Sequence, residues 1–312
     1  MISVVVPIYN RSKVLKRCLQ SFEKQPFRPL ELILVDHAST DDSYQIWLDF
    51  QEKYQSEYLQ VKVLQERKAG ACAARNTGMQ AASGDYISFF DSDDEVYPEM
   101  YAQLDAAIKV YPKAAMIAFR SHLECAGKKR LHPKRTGSDL TQHLVDPLLV
   151  THSFLLRRDA LKQWPLWNED LARWQDFEYA CRLLAQIPSQ DIVWINKPLY
   201  LIHAGEDSIS GFSYSKDAEA LEKSLLSIED YLDKNRLNEA SLRAALAFKK
   251  ISLACLLLRE KQLAQAQLDY WKNYAAKARQ KVAKKYRPLL ALHEAYSKRG
   301  GRAFWRIFAL FV

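Results

Sequence analysis

Along the first 110 residues, short apolar runs alternate with longer stretches whose apolar residues recur at helical spacing. The runs at residues 4–8, 30–35, 61–64 and 86–90 predict buried strands. The stretches at 13–22, 43–54, 71–82 and 98–110 predict helices. Ser12 is a candidate N-cap for the first helix and Thr40 or Asp41 for the second, while Ser83-Gly84 stops the third. Strict strand–helix alternation implies an α/β fold, a mostly parallel sheet with helices on both faces. Such sheets bind ligands beyond the carboxyl ends of their strands, where Asp36 and Asp91 fall.

The middle is less regular. Residues 114–122, 153–157 and 191–195 read as strands and 176–184 as a helix, and the basic, turn-rich 127–135 reads as an exposed loop. After residue 215 glycine is absent until Gly300, and Ala, Leu, Lys and Glu dominate. Leu242, Leu246, Leu253, Leu256 and Leu257 form a near-helical stripe, and a helical hairpin is expected around residues 260–262. The expected division is a catalytic domain at 1–214 and a helical C-terminal region at 215–312.

The formal net charge of +8 favours an anionic partner without choosing among nucleotide, nucleic acid and lipid. Five scattered cysteines lack CxxC spacing, which predicts inert thiols in a reducing compartment and no structural zinc site. No stretch reaches the ~18 apolar residues of a spanning helix. The opening run at residues 2–8 has no basic segment before it and is too short for a secretory leader. A cytoplasmic protein is expected.

The most informative local feature is Asp91-Ser92-Asp93-Asp94, placed directly after an apolar run. Carboxylates at a strand's carboxyl end can hold a hard divalent cation, and the cation can hold a diphosphate. An Asp-x-Asp triplet alone occurs by chance, but it stands here in an ordered set. The set begins with 4–10 (Val-Val-Val-Pro-Ile-Tyr-Asn) and 35–41 (Val-Asp-His-Ala-Ser-Thr-Asp). Gly70 with 73–78 (Ala-Ala-Arg-Asn-Thr-Gly) and 84–87 (Gly-Asp-Tyr-Ile) follow, then the acidic cluster. Trp174-Gln175-Asp176 with Arg182, and His203 with Ser208-Ile209-Ser210, complete it. In these blocks residues 1–211 resemble the family 2 glycosyltransferases.

The resemblance implies the GT-A fold, a Rossmann-like sheet, and inverting sugar transfer from a nucleotide-sugar. By resemblance Pro7 and Tyr9 contact the base, and Asp36 accepts a hydrogen bond from a uracil imide, which makes a UDP-sugar the expected donor. Asp91 and Ser92 contact the donor, and Arg75 neutralises phosphate or pairs with Asp91. Asp93, completed by His203, holds Mn²⁺ or Mg²⁺, with Asp94 behind it. Asp176 is the catalytic base that deprotonates the acceptor hydroxyl, and Glu178 is its rival. Plainer readings stand beside these: Tyr9 as a packed strand-end residue, Asp36 as a turn aspartate, Arg75 as a solvated helix residue, Asp176 as a helix cap. The chain departs from the pattern in two places. Gln175 replaces a glutamate, and Asp36-His37-Ala38-Ser39 replaces Asp-Asp-Gly-Ser. Losing that glycine removes an easy positive-φ position, so a different loop path is expected.

The tail is basic from Lys272 to Arg306, and Glu294 is almost its only opposing charge. Phe304, Ile307, Phe308 and Phe311 would share one helical face, which predicts an interfacial helix on an anionic membrane. Peripheral attachment to the inner face of the cell membrane follows, with a glycan or lipid-linked acceptor in cell-surface polysaccharide synthesis. The bland alternative is a tail docked on protein. Two other classes compete with the enzyme reading. A nucleotidyltransferase would show a glycine-rich basic loop after the first strand, where residues 7–11 (Pro-Ile-Tyr-Asn-Arg) stand instead. A nucleic-acid module would show zinc-finger or RNP-like spacing, and neither occurs, so no nucleic-acid partner is expected.

Overall fold

A computed structural model describes residues 1–25, 30–125, 127–132, 139–160, 164–203, 214–260, 263–301, 304–308 and 311. The alternation in the sequence becomes β1 (Ile2–Ile8), α1 (Ser12–Glu23), β2 (Leu30–Asp36), α2 (Ser43–Tyr54), β3 (Leu59–Gln65), α3 (Ala71–Ala81) and β4 (Tyr86–Phe89). Then follow β5 (Glu95–Val96), α4 (Met100–Val110), β6 (Met116–Cys125), β7 (Lys128–His132), α5 (Asp139–Val145), β8 (Phe154–Arg157), α6 (Gln175–Gln186) and β9 (Ile192–His203). The remainder is helical: α7 (Ala218–Lys234), α8 (Ala240–Arg259), α9 (Gln265–Gln280), α10 (Arg287–Lys298) and the single turn α11 (Trp305–Phe308).

Two compact units result. The first comprises Met1–Pro133, Leu149–Asp170 and Gln186–Glu206; the second comprises Lys134–Leu148, Leu171–Ala185 and Asp207–Val312. In the first unit the described strands form one sheet in the order β3-β2-β1-β4-β8-β6-β9-β5, with β7 added against β6. The four strands β3, β2, β1 and β4 are parallel, and antiparallel pairing begins at β8. Val4, Val6 and Ile8 of β1 and Leu32 and Leu34 of β2 are buried with the apolar faces of α1 and α2. A strand covered on both sides needs no polar alternation, which is why β1 and β2 read as continuous apolar runs. Gly78 on α3 lets that helix approach β1 closely: a Cβ there would stand 2.3 Å from a Val5 methyl.

The second unit is a helical core. Leu221, Leu225, Ile228 and Leu232 line one face of α7, and α8 is apolar around most of its circumference because it sits at the centre. α8 and α9 pack on each other, as the expected hairpin requires; Lys261 and Gln262 at its turn lie outside the described residues. Among the described residues no helix is long and apolar enough to cross a membrane. Cys18, Cys72, Cys181 and Cys255 are buried free thiols, in line with the sequence.

Two expectations change, and two short elements are added. The expected loop at 127–135 contains a strand, β7, whose residues Lys128–His132 pair with Ser121–Cys125. Gly127, at φ +71°, supplies the left-handed residue of a tight hairpin turn. The short strand β5 and the helix α5 carry too few periodic residues to be read in sequence. The terminal apolar face does not stay together: Phe304 and Phe308 are buried, and Phe308 packs against Phe248, whereas Ile307 and Phe311 are exposed. The chain's own core therefore uses half of the face expected to enter a bilayer.

Candidate active site

β1 and β2 pair in register, with Ile8 opposite Asp36, so both strands end at the same edge of the sheet. Their following loops are laced together. The Asn10 amide donates to Ser39 Oγ, and Asn10 Oδ1 accepts from the Thr40 amide at 2.8 Å. The amides of Ser12 and Ser43 both donate to Asp41, each at 3.0 Å. Asp41 thus starts both α1 and α2, and Ser12, the expected cap, receives a cap instead. Burial raises the Asp41 carboxyl, but these hydrogen bonds outweigh it and hold the group well below the usual range.

Pro7 is buried in β1 opposite Val35, while Tyr9 is half exposed and stacks on His37 with ring centroids 5.2 Å apart. His37 is buried, which lowers its pKa, and its Nδ1 accepts the Gly70 amide. With Nδ1 accepting, the ring carries its proton on Nε2. Asp36 is buried. Its Oδ2 accepts the Ser39 amide at 3.2 Å, while its Oδ1 has no hydrogen-bond partner among the described residues. A buried carboxylate oxygen left unsatisfied is costly, and it marks a place for a donor.

The loop after Asp36 keeps a positive-φ residue although the glycine is absent. Ala38 adopts φ +72°, the conformation that glycine would take. A Cβ in that region costs about 1 kcal/mol or more. Ala38→Gly is expected to raise stability by about 1 kcal/mol, read as a shift in the urea midpoint at unchanged slope; an unchanged midpoint would show that the loop relaxes freely around the alanine.

The acidic cluster is crowded. Arg75 is buried against the Trp167 ring and donates to Asp91 Oδ1 at 2.7 Å, so it is not a solvated helix residue. Trp167 is itself held by Asn76, whose side-chain amide exchanges two hydrogen bonds with its backbone. Burial raises the Asp91 carboxyl, but Arg75 and then His152 outweigh it and the net shift is downward. Ser92 is buried beside it. Asp93 is half buried, with Arg11 at 3.6 Å from Oδ2. Burial, then the charges of Asp94 and Asp91, push its carboxyl above the usual range. Asp94 Oδ1 accepts the His203 amide at 2.8 Å, and its Oδ2 lies 2.9 Å from His152 Nε2. The imidazole of His203 faces Glu95, at 2.7 Å from Nε2, and Glu124.

Among the described residues, the group whose potential ligand atoms lie within 4.8 Å of one another is Asp91, Asp94 and His152. Asp93 and the His203 ring are not part of it. His152 was invisible in the sequence, a lone histidine outside every motif. It is buried edge-on to Phe90 and stacked on Tyr200, and both rings position it. Ser208, Ile209 and Ser210 lie outside the described residues.

Asp176 belongs to the second unit, in the first turn of α6, where its Oδ1 accepts the Phe177 amide at 2.8 Å. Trp174, just before the helix, adopts φ +50°. Gln175 donates its side-chain amide to the Leu171 carbonyl. Glu178 is fully buried, accepts both Nε and a terminal nitrogen of Arg182 at 2.9 and 2.8 Å, and also takes the Ser227 hydroxyl. Both of its oxygens are thus taken by partners within the second unit, which leaves the rival base without a free oxygen for an acceptor hydroxyl.

Lys249 on α8 sits with its ammonium 4.8 Å from the Trp174 ring centre and 4.5 Å from that of Phe177. Burial drives its pKa down from 10.5 to about 8, against the opposing pull of Cys181, Asp146 and Asp176. Between these pH values the unfolded chain binds more protons, so stability rises with pH through the window and the full penalty applies below it. Lys249→Met is expected to stabilise the protein at pH 7 by on the order of 3 kcal/mol and to flatten its pH dependence between about 8 and 10. Urea titrations at pH 7 and pH 9.5 check this; an undiminished slope in the variant would remove Lys249 as its source.

The family described as "Glycosyl transferase family 2" matches residues 3–164. Among curated relatives, the uncharacterized glycosyltransferase YibD of Escherichia coli is 41% identical over 104 residues, which is 33% of this chain and 29% of that one. Glycosyltransferase GlyG of Streptococcus pneumoniae is 44% identical over 105 residues, 33% of this chain and 34% of that one. The chain thus spans about a third of the length of these relatives. Among solved structures, residues 1–349 of Staphylococcus aureus TarS superpose with a TM-score of 0.69 at 21% identity, covering 99% of this chain and 90% of that one. That likeness establishes a GT-A-type fold with a helical C-terminal region.

Proposed function

The chain belongs to glycosyl transferase family 2, and from that premise we propose that it moves a sugar, with inversion, from a UDP-sugar to a hydroxyl of a glycan or lipid-linked acceptor in cell-surface polysaccharide synthesis. The observation that carries the donor half is the pairing of an unsatisfied, buried Asp36 Oδ1 with a half-exposed Tyr9 at the ends of adjacent parallel strands. A carboxylate oxygen accepts from an imide N–H, and an aromatic face stacks on a base, so the two suit uracil. TarS has been solved with UDP and with UDP-GlcNAc, which supports the same base. Pro7 holds the strand end, and Arg75 and Ser92 flank the carboxylate, Asp91, that would meet the donor.

The donor set fits a divalent cation. Three carboxylates stand within four residues, and burial and mutual repulsion keep Asp93 reluctant to ionise. A cation would relieve that. Asp93 and Asp91 would hold Mn²⁺ or Mg²⁺ with the diphosphate oxygens, and Asp94, His152 and His203 shape the acids around it. When bound, such an ion supplies Lewis-acid stabilisation to the departing diphosphate. The mannosyltransferase PcManGT, solved with GDP-Man and Mn²⁺, superposes with a TM-score of 0.56 at 16% identity, which supports a metal. Asp176 is the proposed base that takes the acceptor's proton.

The acceptor class rests on named relatives. A Campylobacter jejuni GalNAc(5)-diNAcBac-PP-undecaprenol beta-1,3-glucosyltransferase is 33% identical over 95 residues, 30% of each chain. A Bacillus spizizenii poly(ribitol-phosphate) beta-glucosyltransferase is 38% identical over 102 residues, 31% of this chain and 16% of that one. A lipid-linked acceptor would bring the cytoplasmic enzyme to the inner face of the cell membrane.

The test is a thermal-shift and turnover panel of UDP-, GDP- and dTDP-sugars with Mn²⁺, Mg²⁺ or chelator. The expected result is stabilisation by UDP-sugars that depends on the metal, with release of UDP. Release of pyrophosphate from a nucleoside triphosphate, with no response to any nucleotide-sugar, would point to a nucleotidyltransferase instead.

A further inference from the structure

Between residues 272 and 312 stand eleven Lys and Arg against a single acid, Glu294, an excess larger than the net charge of the whole chain. Glu294 is already committed: Arg279 reaches one of its oxygens at 2.5 Å and Lys298 the other at 2.6 Å. Lys284, Lys285 and Arg299 are exposed and make no ion pair among the described residues. These three charges face solvent without a carboxylate partner among the described residues, whereas Lys272 pairs with Asp269 and Lys281 with Glu229.

Apolar surface lies among these cations, and it is not where the sequence put it. Phe304 and Phe308 are buried inside the helical unit. On α10, Leu290, His293, Glu294 and Ser297 face inward. Pro288, Leu292 and Tyr296, spaced by four residues, share another face that is exposed, with Leu292 at 58%. Phe311, 61% exposed, adds to it. Lys285, Tyr286, Pro288, Leu289, Leu292 and Phe311 line a cleft of about 470 Å³. The cations sit at both ends of this strip: Lys284 and Lys285 before α10 and Arg287 at its start, Lys298 and Arg299 at its end.

We infer that the outward face of α10, together with Ile307 and Phe311, is the surface by which this chain lies on an anionic phospholipid leaflet. An apolar strip bordered by exposed Lys and Arg, with Lys284, Lys285 and Arg299 unpaired among the described residues, matches acyl chains bordered by phosphates. A polyphosphate chain such as nucleic acid would satisfy the cations and leave Leu292 and Phe311 in water. A second copy of the same face would bring like charges together. The surface serves the lipid-linked acceptor proposed above, but it is read without turnover. Vesicle binding can therefore fail while sugar transfer stands, and the reverse.

The experiment is co-sedimentation of the full chain with phosphatidylcholine vesicles, with and without phosphatidylglycerol. Binding is expected only with the anionic lipid and is expected to weaken with salt. Reversing Lys284 and Lys285 to Glu together should lower partitioning by more than about twentyfold, since each basic residue at an anionic surface is worth about fivefold. Leu292→Ser with Phe311→Ser should lower it about tenfold or more with the charges intact. All four side chains are exposed, so near-ultraviolet circular dichroism should not change. Equal binding to neutral vesicles would overturn the proposal. So would an apolar double variant that binds like the parent, or an oligomer that disperses when Leu292 and Phe311 are replaced while vesicles are ignored.

Discussion

Asp176→Asn is expected to lower kcat by about 10²- to 10⁴-fold while leaving UDP-sugar affinity unchanged. The substitution is chosen because it separates chemistry from architecture. Asn keeps an Oδ1 that can accept the Phe177 amide, so the first turn of α6 should form as before. It loses the ability to take a proton from an attacking hydroxyl. Glu178 is poorly placed to stand in, since its oxygens are engaged by Arg182 and Ser227 in a fully buried setting. Single-turnover rates at saturating donor, with the UDP-induced rise in melting temperature measured in parallel, give the two readouts. A rate within a few-fold of the parent would move the base elsewhere; a collapse of UDP binding would show that Asp176 holds the donor.

The strands that support the site were legible because of where they lie. β1, β2 and β4 are covered on both faces, so their sequences carry no polar alternation and stand out as apolar runs. The helices between them show one apolar face. Their ends came within a residue or two, since a parallel βα unit places its turn residues at fixed points. What failed to show was surface structure and single residues. β7 is an exposed, basic strand, and its one strong signal was Gly127 between two β-capable runs. His152 belongs to no motif; only the fold sets it against Asp94. Ala38 shows the opposite limit: its identity argued against a positive φ, yet it adopts φ +72° beside the hydrogen bonds lacing Asn10 to Ser39 and Thr40. The tail was misjudged because helical spacing identifies which residues share a face but not what covers it. Phe304 and Phe308 found His293 and Phe248.

Asp93→Asn should split stability from activity. In the protein without metal, burial and the charges of Asp94 and Asp91 raise the Asp93 pKa, and Arg11 at 3.6 Å offsets only part of this. A carboxyl raised in the folded state binds protons that the unfolded chain has released, so its contribution to stability falls as pH climbs above the ordinary aspartate range. Removing the charge should therefore leave the metal-free protein as stable as the parent at pH 7, or more so. Asp91 is the contrasting case. Arg75 lowers its pKa, and Asp91→Asn leaves a buried guanidinium without its anion, so that variant should lose stability on the order of 3 kcal/mol. Activity should respond differently. If Asp93 holds the ion, Asp93→Asn forfeits the charge stabilisation it gives the leaving diphosphate, several kcal/mol, or roughly a thousandfold in rate. The pair of variants, compared by urea unfolding with chelator present and by UDP release with Mn²⁺ added, tests this. Residues kept for function often lower stability, and a site of crowded carboxylates built for a cation should show it in the metal-free state. An Asp93→Asn protein that is less stable than the parent and still transfers sugar would make Asp93 a structural residue, and would move the metal to the neighbouring Asp91, Asp94 and His152.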